Sequence, residues 1–364
     1  MPPAAPTRLT AAVLREVFGT RPFTRHEARA CGVTPDRLRQ AVVAGVISRV
    51  HRGWYAVPDD TLDIAASTGI PAGLPGRPAH HGDPLHEGIS AAALAIFRDL
   101  DTRGAQPVLA GSLAAACWGL DTLGDHSGSP GSPAVILVAP GGGIRRGQRG
   151  PVLVRESLID DSDIVRTADG LAITGALRTG LDCARGRDPV SAFIVTNSAV
   201  RRSLDPTPPR GDRVRLDSRR LTDRASDPST AHAAVQAMRS AVERCDGRGL
   251  AVVARVIESI DPRLETALES LSWWRFHEWG LALPVPQQWV RGASGRRYRV
   301  DFDFGDRLGE ADGLSKYAGP ADLRAEKSRH MDLELGGRPL IRWGWVQMWR
   351  QPATVLHALT AARP

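Results

Sequence analysis

Apolar positions near the start of the chain recur at helical spacing and then give way to alternation. Leu9, Val13, Leu14 and Val17 share one helical stripe and predict a helix over 8–18. Thr24 and Glu27 form an S/T-x-x-E capping box, which opens a second short helix ending near Gly32. Thr34 caps a third helix, with Pro35 at its first position, Leu38, Ala41 and Val42 on its buried face and Gly45 at its end. VISRVHRGWYAV (46–57) reads as two short strands around an Arg52-Gly53 turn. Three helices and a β-wing predict a winged helix-turn-helix over residues 1–58.

The pattern is then broken by Pro and Gly. TGIPAGLPGRPAHHGDP (68–84) reads as a linker, in which His80 and His81 have no further ligand at metal-binding spacing. LAGSLAAACWGL (109–120) predicts a helix of small residues, AVILVAP (134–140) a buried strand, and GLAITGALRTGLDCAR (170–185) a strand running into a helix. These define an α/β middle domain over 85–200, with scaffold, dimerisation or partner docking as its open roles. APGGGIRRG lacks the Lys-Ser/Thr ending of a phosphate loop and reads as a hairpin turn with basic residues. Residues 201–230, rich in Arg, Asp, Pro and Ser, predict a second joint with a weak helix near 218–224; helices over 231–245 and 249–259 complete a segment of linker and helices over 201–260.

The last segment, 261–364, begins with DPRLETALESLSWWRFHEWGL (261–281), a helix with Leu264, Leu268, Leu271 and Trp274 on one face and Glu265 and Glu269 one turn apart on another. The strand VPQQWV, the hairpin YRVDFDF–RLGEADG turning at Gly305-Asp306, a helix over 320–335, the strand PLIRWGWV and a helix from 352 give the order α-β-β-β-α-β-α. Seven of the nine tryptophans lie between 273 and 349, which predicts a core separate from the alanine-rich middle. The whole is an α+β multidomain chain.

Composition fits this reading: 42% hydrophobic and 24% charged residues exclude a disordered tail or a fibre. No apolar run is long enough to span a bilayer and the start has no secretion-signal pattern, so no membrane partner and a cytoplasmic location are expected. Cys31, Cys117, Cys183 and Cys245 are widely spaced and read as reduced apolar residues. The net charge of +7 is almost entirely N-terminal, because residues 1–58 hold nine arginines against Glu16, Glu27 and Asp36. That asymmetry points to DNA as a partner of the head, the alternative being a helical domain whose exposed face is incidentally basic. Arg37 and Gln40, with Arg39 flanking, lie opposite the buried stripe of the third helix and are placed to read base edges; Arg49, His51 and Arg52 on the wing are placed to meet phosphate or the minor groove.

Residues 299–319, RVDFDFGDRLGEADGLSKYAG, hold five carboxylates. Period-two alternation sets Tyr298, Val300, Phe302 and Phe304 on one face and Asp301 and Asp303 on the other, so that Asp301 faces Glu310, with Asp312 two residues beyond. Carboxylates converging in this way repel unless a cation neutralises them, which makes Asp301 and Glu310 candidate ligands for Mg2+ or Mn2+. Such an ion polarises a phosphodiester and lowers the pKa of its bound water. The chain has 45 Arg and only two Lys, Lys316 and Lys327, both just after this hairpin. Lysine, unlike arginine, can exchange a proton.

Two resemblances carry these residues further. FTRHEARACGVTPDRLRQAVVAGVISRVHRGWYAV resembles the N-terminal domain of AbiEi-type antitoxins, and the middle segment resembles the domain that follows it through Arg178, Thr179 and Asp182. The resemblance implies promoter binding, autorepression and a cognate nucleotidyltransferase-like toxin. Residues 261–360 resemble the PD-(D/E)xK nucleases related to very-short-patch-repair enzymes, through LES with Glu269, VDF with Asp301 and GEADGLSKY with Glu310, Asp312 and Lys316. This implies a restriction-endonuclease-like core in which Asp301 and Glu310 bind metal with the Ala311 carbonyl, Glu269 supports it and Lys316 acts on the water. The E-x-K lysine position holds Asp312, so that function falls to Lys316 or is absent. The expected function is DNA binding with metal-dependent endonuclease activity in phage defence or mobile-element control; the alternative is a non-enzymatic antitoxin and autorepressor with a degenerate nuclease fold.

Overall fold

Two threonines start the helices that organise the N-terminal segment. Thr24 Oγ1 accepts the Glu27 N–H at 3.0 Å while the Glu27 carboxylate accepts the Thr24 N–H at 2.7 Å, the complete capping box. Thr34 Oγ1 accepts the Arg37 N–H at 3.4 Å with Pro35 at the first helical position. The structure, a computed structural model, describes residues 10–18, 22–57, 91–123, 134–140, 147–149, 152–168, 170–205, 207, 218–245, 249–312 and 320–361. Lys316 and the 68–84 linker with His80 and His81 lie outside the described residues.

The N-terminal segment runs α1 (Ala11–Phe18), β1 (Phe23–Thr24), α2 (Arg25–Ala30), α3 (Pro35–Val43), β2 (Ser48–His51) and β3 (Trp54–Ala56). Its sheet has the order β1-β3-β2, and Leu14, Phe18, Phe23, Val33, Leu38, Ala41 and Ile47 fill its core. Val17 departs from the expected stripe and is 48% exposed.

The middle opens with α4 (Ala91–Asp101), β4 (Val108–Gly111), α5 (Ser112–Trp118), β5 (Ala134–Val138), β6 (Gly147–Arg149), β7 (Val152–Glu156), β8 (Ile164–Arg166) and β9 (Ala172–Thr174). The strands form one sheet of order β6-β7-β5-β4-β9-β8, in which β5–β7 and β4–β9 are parallel. The run 109–120, expected to be wholly helical, starts as strand. Leu109 points into one apolar cluster and Val108 and Ala110 into another, as a central strand requires, and the helix begins only after Gly111 at φ +57°. Most of APGGGIRRG lies outside the described residues; β5 pairs with β4 and β7, and β6 with β7.

Helices α6 (Ala176–Ala184), α7 (Pro189–Ser203), α8 (Ser218–Ala225), α9 (Pro228–Arg244) and α10 (Ala251–Val256) follow. The expected joint does not begin at 201, because Arg201 and Arg202 end α7 and are buried. Arg201 donates to Pro262 O and Thr222 Oγ1, both at 2.9 Å, and Arg202 to Asp205 O and Thr207 O, also at 2.9 Å. Arginine is tolerated there because its fork satisfies several carbonyls at once.

The C-terminal segment comprises α11 (Ala267–Glu278), β10 (Val285–Arg291), β11 (Arg297–Asp303), β12 (Leu308–Ala311), α12 (Pro320–Leu335), β13 (Leu340–Trp343), α13 (Trp345–Arg350) and α14 (Pro352–Thr360). The sheet order is β10-β11-β12-β13; the first three strands are antiparallel, and β13 returns through α12 to lie parallel to β12. The α-β-β-β-α-β order matches expectation. The first helix is shorter than expected because Thr266 caps it, accepting the Glu269 N–H at 3.1 Å, so Glu265 precedes it. The last strand stops at Trp343 because Gly344 opens α13.

The C-terminal core is not separate from the middle. One cluster of buried apolar residues runs from Ala93 to Leu359 and includes Phe193 of α7, Trp274 and Phe276 of α11, Phe302 and Trp343. Phe193 and Trp274 meet at 5.3 Å between ring centroids, and Asn197 Oδ1 accepts the Asp261 N–H at 3.0 Å across the same junction. Among the described residues no helix is long and apolar enough to cross a membrane.

Candidate functional site

Two clusters contain the residues singled out in the sequence. The first is the basic face of the N-terminal segment. On α3, Leu38 and Ala41 face inward, leaving Arg37 half-buried and Arg39 and Gln40 exposed. Arg39 pairs with Asp36 one turn earlier, an exposed contact of little weight in stability. Arg49 on β2 is exposed, as is Arg52 at the turn, where Gly53 adopts φ +80°. His51 on β2 faces α4 of the middle segment, its Nε2 3.9 Å from Asp99 Oδ2. Arg98 of α4 donates to Pro22 O at 3.2 Å.

The second cluster lies where α11 meets the C-terminal sheet. β10 and β11 keep one register throughout, so Gln287, between the pairs Pro286↔Phe302 and Gln288↔Val300, stands opposite Asp301. Gln287 has φ +55°, which a side chain of its size rarely adopts. The alternation of β11 breaks at the same level. Val300 packs with Leu308 and with Leu333 of α12, whereas Phe302 packs with Phe276 of α11 and Trp343. Tyr298, Val300, Phe302 and Phe304 therefore do not share one face, contrary to the sequence reading.

Asp301 sits at this switch. Its Oδ2 accepts the Ala311 N–H at 2.9 Å, replacing a ladder bond where β11 and β12 separate, and its Oδ1 lies 3.4 Å from Gln287 Nε2. The same amide nitrogen donates to Glu269 Oε2 at 2.8 Å, an oxygen that also accepts the Glu265 N–H at 2.8 Å. Glu269 is buried, and its pKa is pushed up to about 8 by desolvation and by the charges of Asp301 and Glu265. Glu265 lies between Arg299 at 3.0 Å and Arg201 at 3.5 Å.

Glu310 is directed to the α12 side. Arg329 binds both of its oxygens, Nη1 at 3.0 Å from Oε2 and Nη2 against Oε1, and Arg342 Nη2 lies 3.2 Å from Oε2. Arg342 also lies 3.5 Å from Asp312 and contacts Glu326, which bonds Arg329 at 3.3 Å. The sequence reading joined Asp301, Glu310 and Asp312 through one cation. The structure groups Asp301 with Glu269 and Gln287, and Glu310 and Asp312 with two arginines that already supply the positive charge. Among the described residues no group of three or more His, Cys, Asp or Glu side chains is arranged to hold a metal ion. Both oxygens of Glu310 are engaged by Arg329, so an Mg2+ or Mn2+ ion shared by Asp301 and Glu310 would have to displace that guanidinium.

Gln287, Arg329 and Arg342 were not anticipated. Arg342 is opposite Glu310 only because β13 lies parallel to β12, a pairing that no local pattern announces.

Comparison with known proteins bears on the first cluster. Residues 13–58 match the family model described as "Transcriptional regulator, AbiEi antitoxin". The N-terminal segment is thus similar to a family of antitoxin regulators, and the match spans α1 to β3. Two uncharacterized proteins of Mycobacterium tuberculosis, MT2308 of strain CDC 1551 / Oshkosh and Rv2248 of strain H37Rv, are each 34% identical over 119 residues, or 30% of this chain. The chain matches 44% of the length of each of these relatives. In fold, the crystal structure of the RV2827C protein from Mycobacterium tuberculosis aligns with a TM-score of 0.33 and 18% identity, covering 70% of this chain and 84% of that one.

Proposed function

We propose that the chain is a DNA-binding transcriptional regulator of the antitoxin type, acting through a winged helix-turn-helix at its N-terminus. The observation that carries this is the coincidence of the family match at 13–58 with the exposed Arg39, Gln40, Arg49 and Arg52 around the half-buried Arg37. In this reading α3 enters a major groove, where Arg37 and Gln40 read base edges and Arg39 flanks them, while Arg49 and Arg52 on the wing neutralise phosphates. DNA and a nucleotidyltransferase-like toxin are the proposed partners, and the cytoplasm the proposed site of action. The test is fluorescence anisotropy with duplex DNA from upstream of the chain's own gene. Arg37→Ala/Gln40→Ala relaxes sequence preference, and Arg49→Ala/Arg52→Ala weakens binding to all sequences and lowers the salt slope by about two. Variants that bind like the wild type would refute the assignment.

A second reading, a metal-dependent nuclease in the C-terminal segment, draws support from the α-β-β-β-α-β order and the approach of Asp301 to the buried Glu269. It requires Glu310 to leave its arginines, and it assigns the water to Lys316. Incubation with DNA and Mg2+ or Mn2+ tests it: no difference between the wild type, Asp301→Ala and Glu310→Ala, with duplex binding intact, would reject it.

A further inference from the structure

The outer end of the β10–β11 hairpin presents a face whose inner end, at Arg299, borders the second cluster. The register sets Trp289 directly across from Arg299 and Arg291 directly across from Arg297. Residues opposite one another, and residues two apart on one strand, share a face. Trp289, Arg291, Arg297 and Arg299 therefore line one side of the ribbon, while Val290, Tyr298 and Val300 pack on the other side with Leu308, Leu333 and Leu340.

Three features of this face are unusual for a solvated surface. Trp289 is 48% exposed, although a ring of that size normally finds cover. The Arg297 guanidinium lies 5.6 Å from the centroid of that ring, holding it as an open platform. Like charges directly across an antiparallel pair destabilise it, yet Arg291 and Arg297 face one another, and among the described residues neither forms an ion pair with a carboxylate. Among the described residues Arg291 reaches only the Gly295 carbonyl, at 3.4 Å. At the inner end Arg299 is anchored by Glu265 at 3.0 Å. β10 is the outer strand of its sheet, so nothing within the sheet covers this edge.

We propose that this face binds single-stranded DNA, with Trp289 stacking on an unpaired base and Arg291 and Arg297 neutralising the flanking phosphates. An exposed aromatic ring set among unpaired arginines is the chemistry that single strands select, since every base offers a π-face and every step a charge. The anion relieves the repulsion between the two arginines. The site is separate from the duplex-binding head and does not rest on it.

The test uses the full chain and a labelled oligodeoxythymidine of roughly 15 nucleotides, a length within the range of a single-strand site. Trp289→Ala weakens binding roughly tenfold or more, Trp289→Phe restores most of it, and Arg291→Ala/Arg297→Ala lowers the salt slope by about 1.4. These side chains are exposed, so circular dichroism stays that of the wild type. Arg37→Ala/Gln40→Ala leaves oligothymidine binding unchanged, which separates failure of this site from failure of the head. Wild-type binding by both hairpin variants would overturn the proposal. So would unchanged oligothymidine binding accompanied by a change in oligomeric state, which would make the charges guards of an exposed strand edge.

Discussion

Arg329 holds Glu310 by both carboxylate oxygens, one at 3.0 Å, across the gap between α12 and β12. The Glu310 side chain is only 6% exposed, and Arg329 and Arg342 are its ion-pair partners. Removing one partner of a buried pair leaves a charge without compensation, whereas removing both is close to neutral. Arg329→Met is expected to destabilise the chain by about 3 kcal/mol, and Arg329→Met/Glu310→Gln by much less. Urea denaturation followed by tryptophan fluorescence measures both. Equal losses in the single and double variants would show that the clamp contributes by packing alone.

Stability should fall as pH rises toward mild alkali. Glu269 titrates at about 8 when folded against an ordinary 4.5, so between those values the folded chain holds a proton that the unfolded chain has released. The stabilisation is complete below the unfolded pKa and is lost as pH climbs through the folded one. Asp121, raised to about 7 by desolvation against the pull of Arg201, acts in the same direction. Glu269→Gln, neutral at every pH, should remove the Glu269 share of the slope. Melting temperatures at pH 5, 6.5 and 8 check this; parallel curves for wild type and variant would contradict it.

How much was legible follows from the range of each determinant. Thr24, Glu27, Thr34, Pro35 and Gly45 act within a few residues, so the N-terminal helices and the β2–β3 pair could be read from the sequence, as could the order of C-terminal elements. The facing of Asp301 and Glu310 required unbroken alternation. The left-handed Gln287 opposite Asp301 and the separation of β11 from β12 break it, and neither is visible in a run such as VPQQWV. Arg329 and Arg342 reach Glu310 across α12 and a parallel strand, contacts of long sequence range. Arg201 looked like part of a charged joint because its buried acceptor, the Pro262 carbonyl, lies far along the chain.

The turn between β2 and β3 depends on Gly53. Its φ of +80° is left-handed, and a Cβ there would meet no atom within 4 Å, so Gly53→Ala is opposed only by the backbone, by roughly 1–2 kcal/mol. The Gly53 carbonyl accepts the Arg25 N–H at 3.2 Å, so a shifted turn also disturbs the start of α2 and moves Arg52. Thermal melts should show the loss, and anisotropy with duplex DNA should show weaker binding. Undiminished duplex binding would mean that the wing does not contact DNA.

Gly180 is required for space, not for backbone conformation. A Cβ at this position of α6 would lie 2.4 Å from the Ala199 Cβ of α7, far inside van der Waals contact, and both helices are locked in the central core. Gly180→Ala must push α6 and α7 apart, and overpacking of this kind costs about 1–3 kcal/mol. Ala199→Gly alone should cost about 1 kcal/mol, since it places glycine within a helix. Combined with Gly180→Ala it makes room for the new methyl group, so the double variant should regain part of the stability lost by Gly180→Ala. A double variant less stable than the sum of the two single losses would show that the helices do not meet at this point.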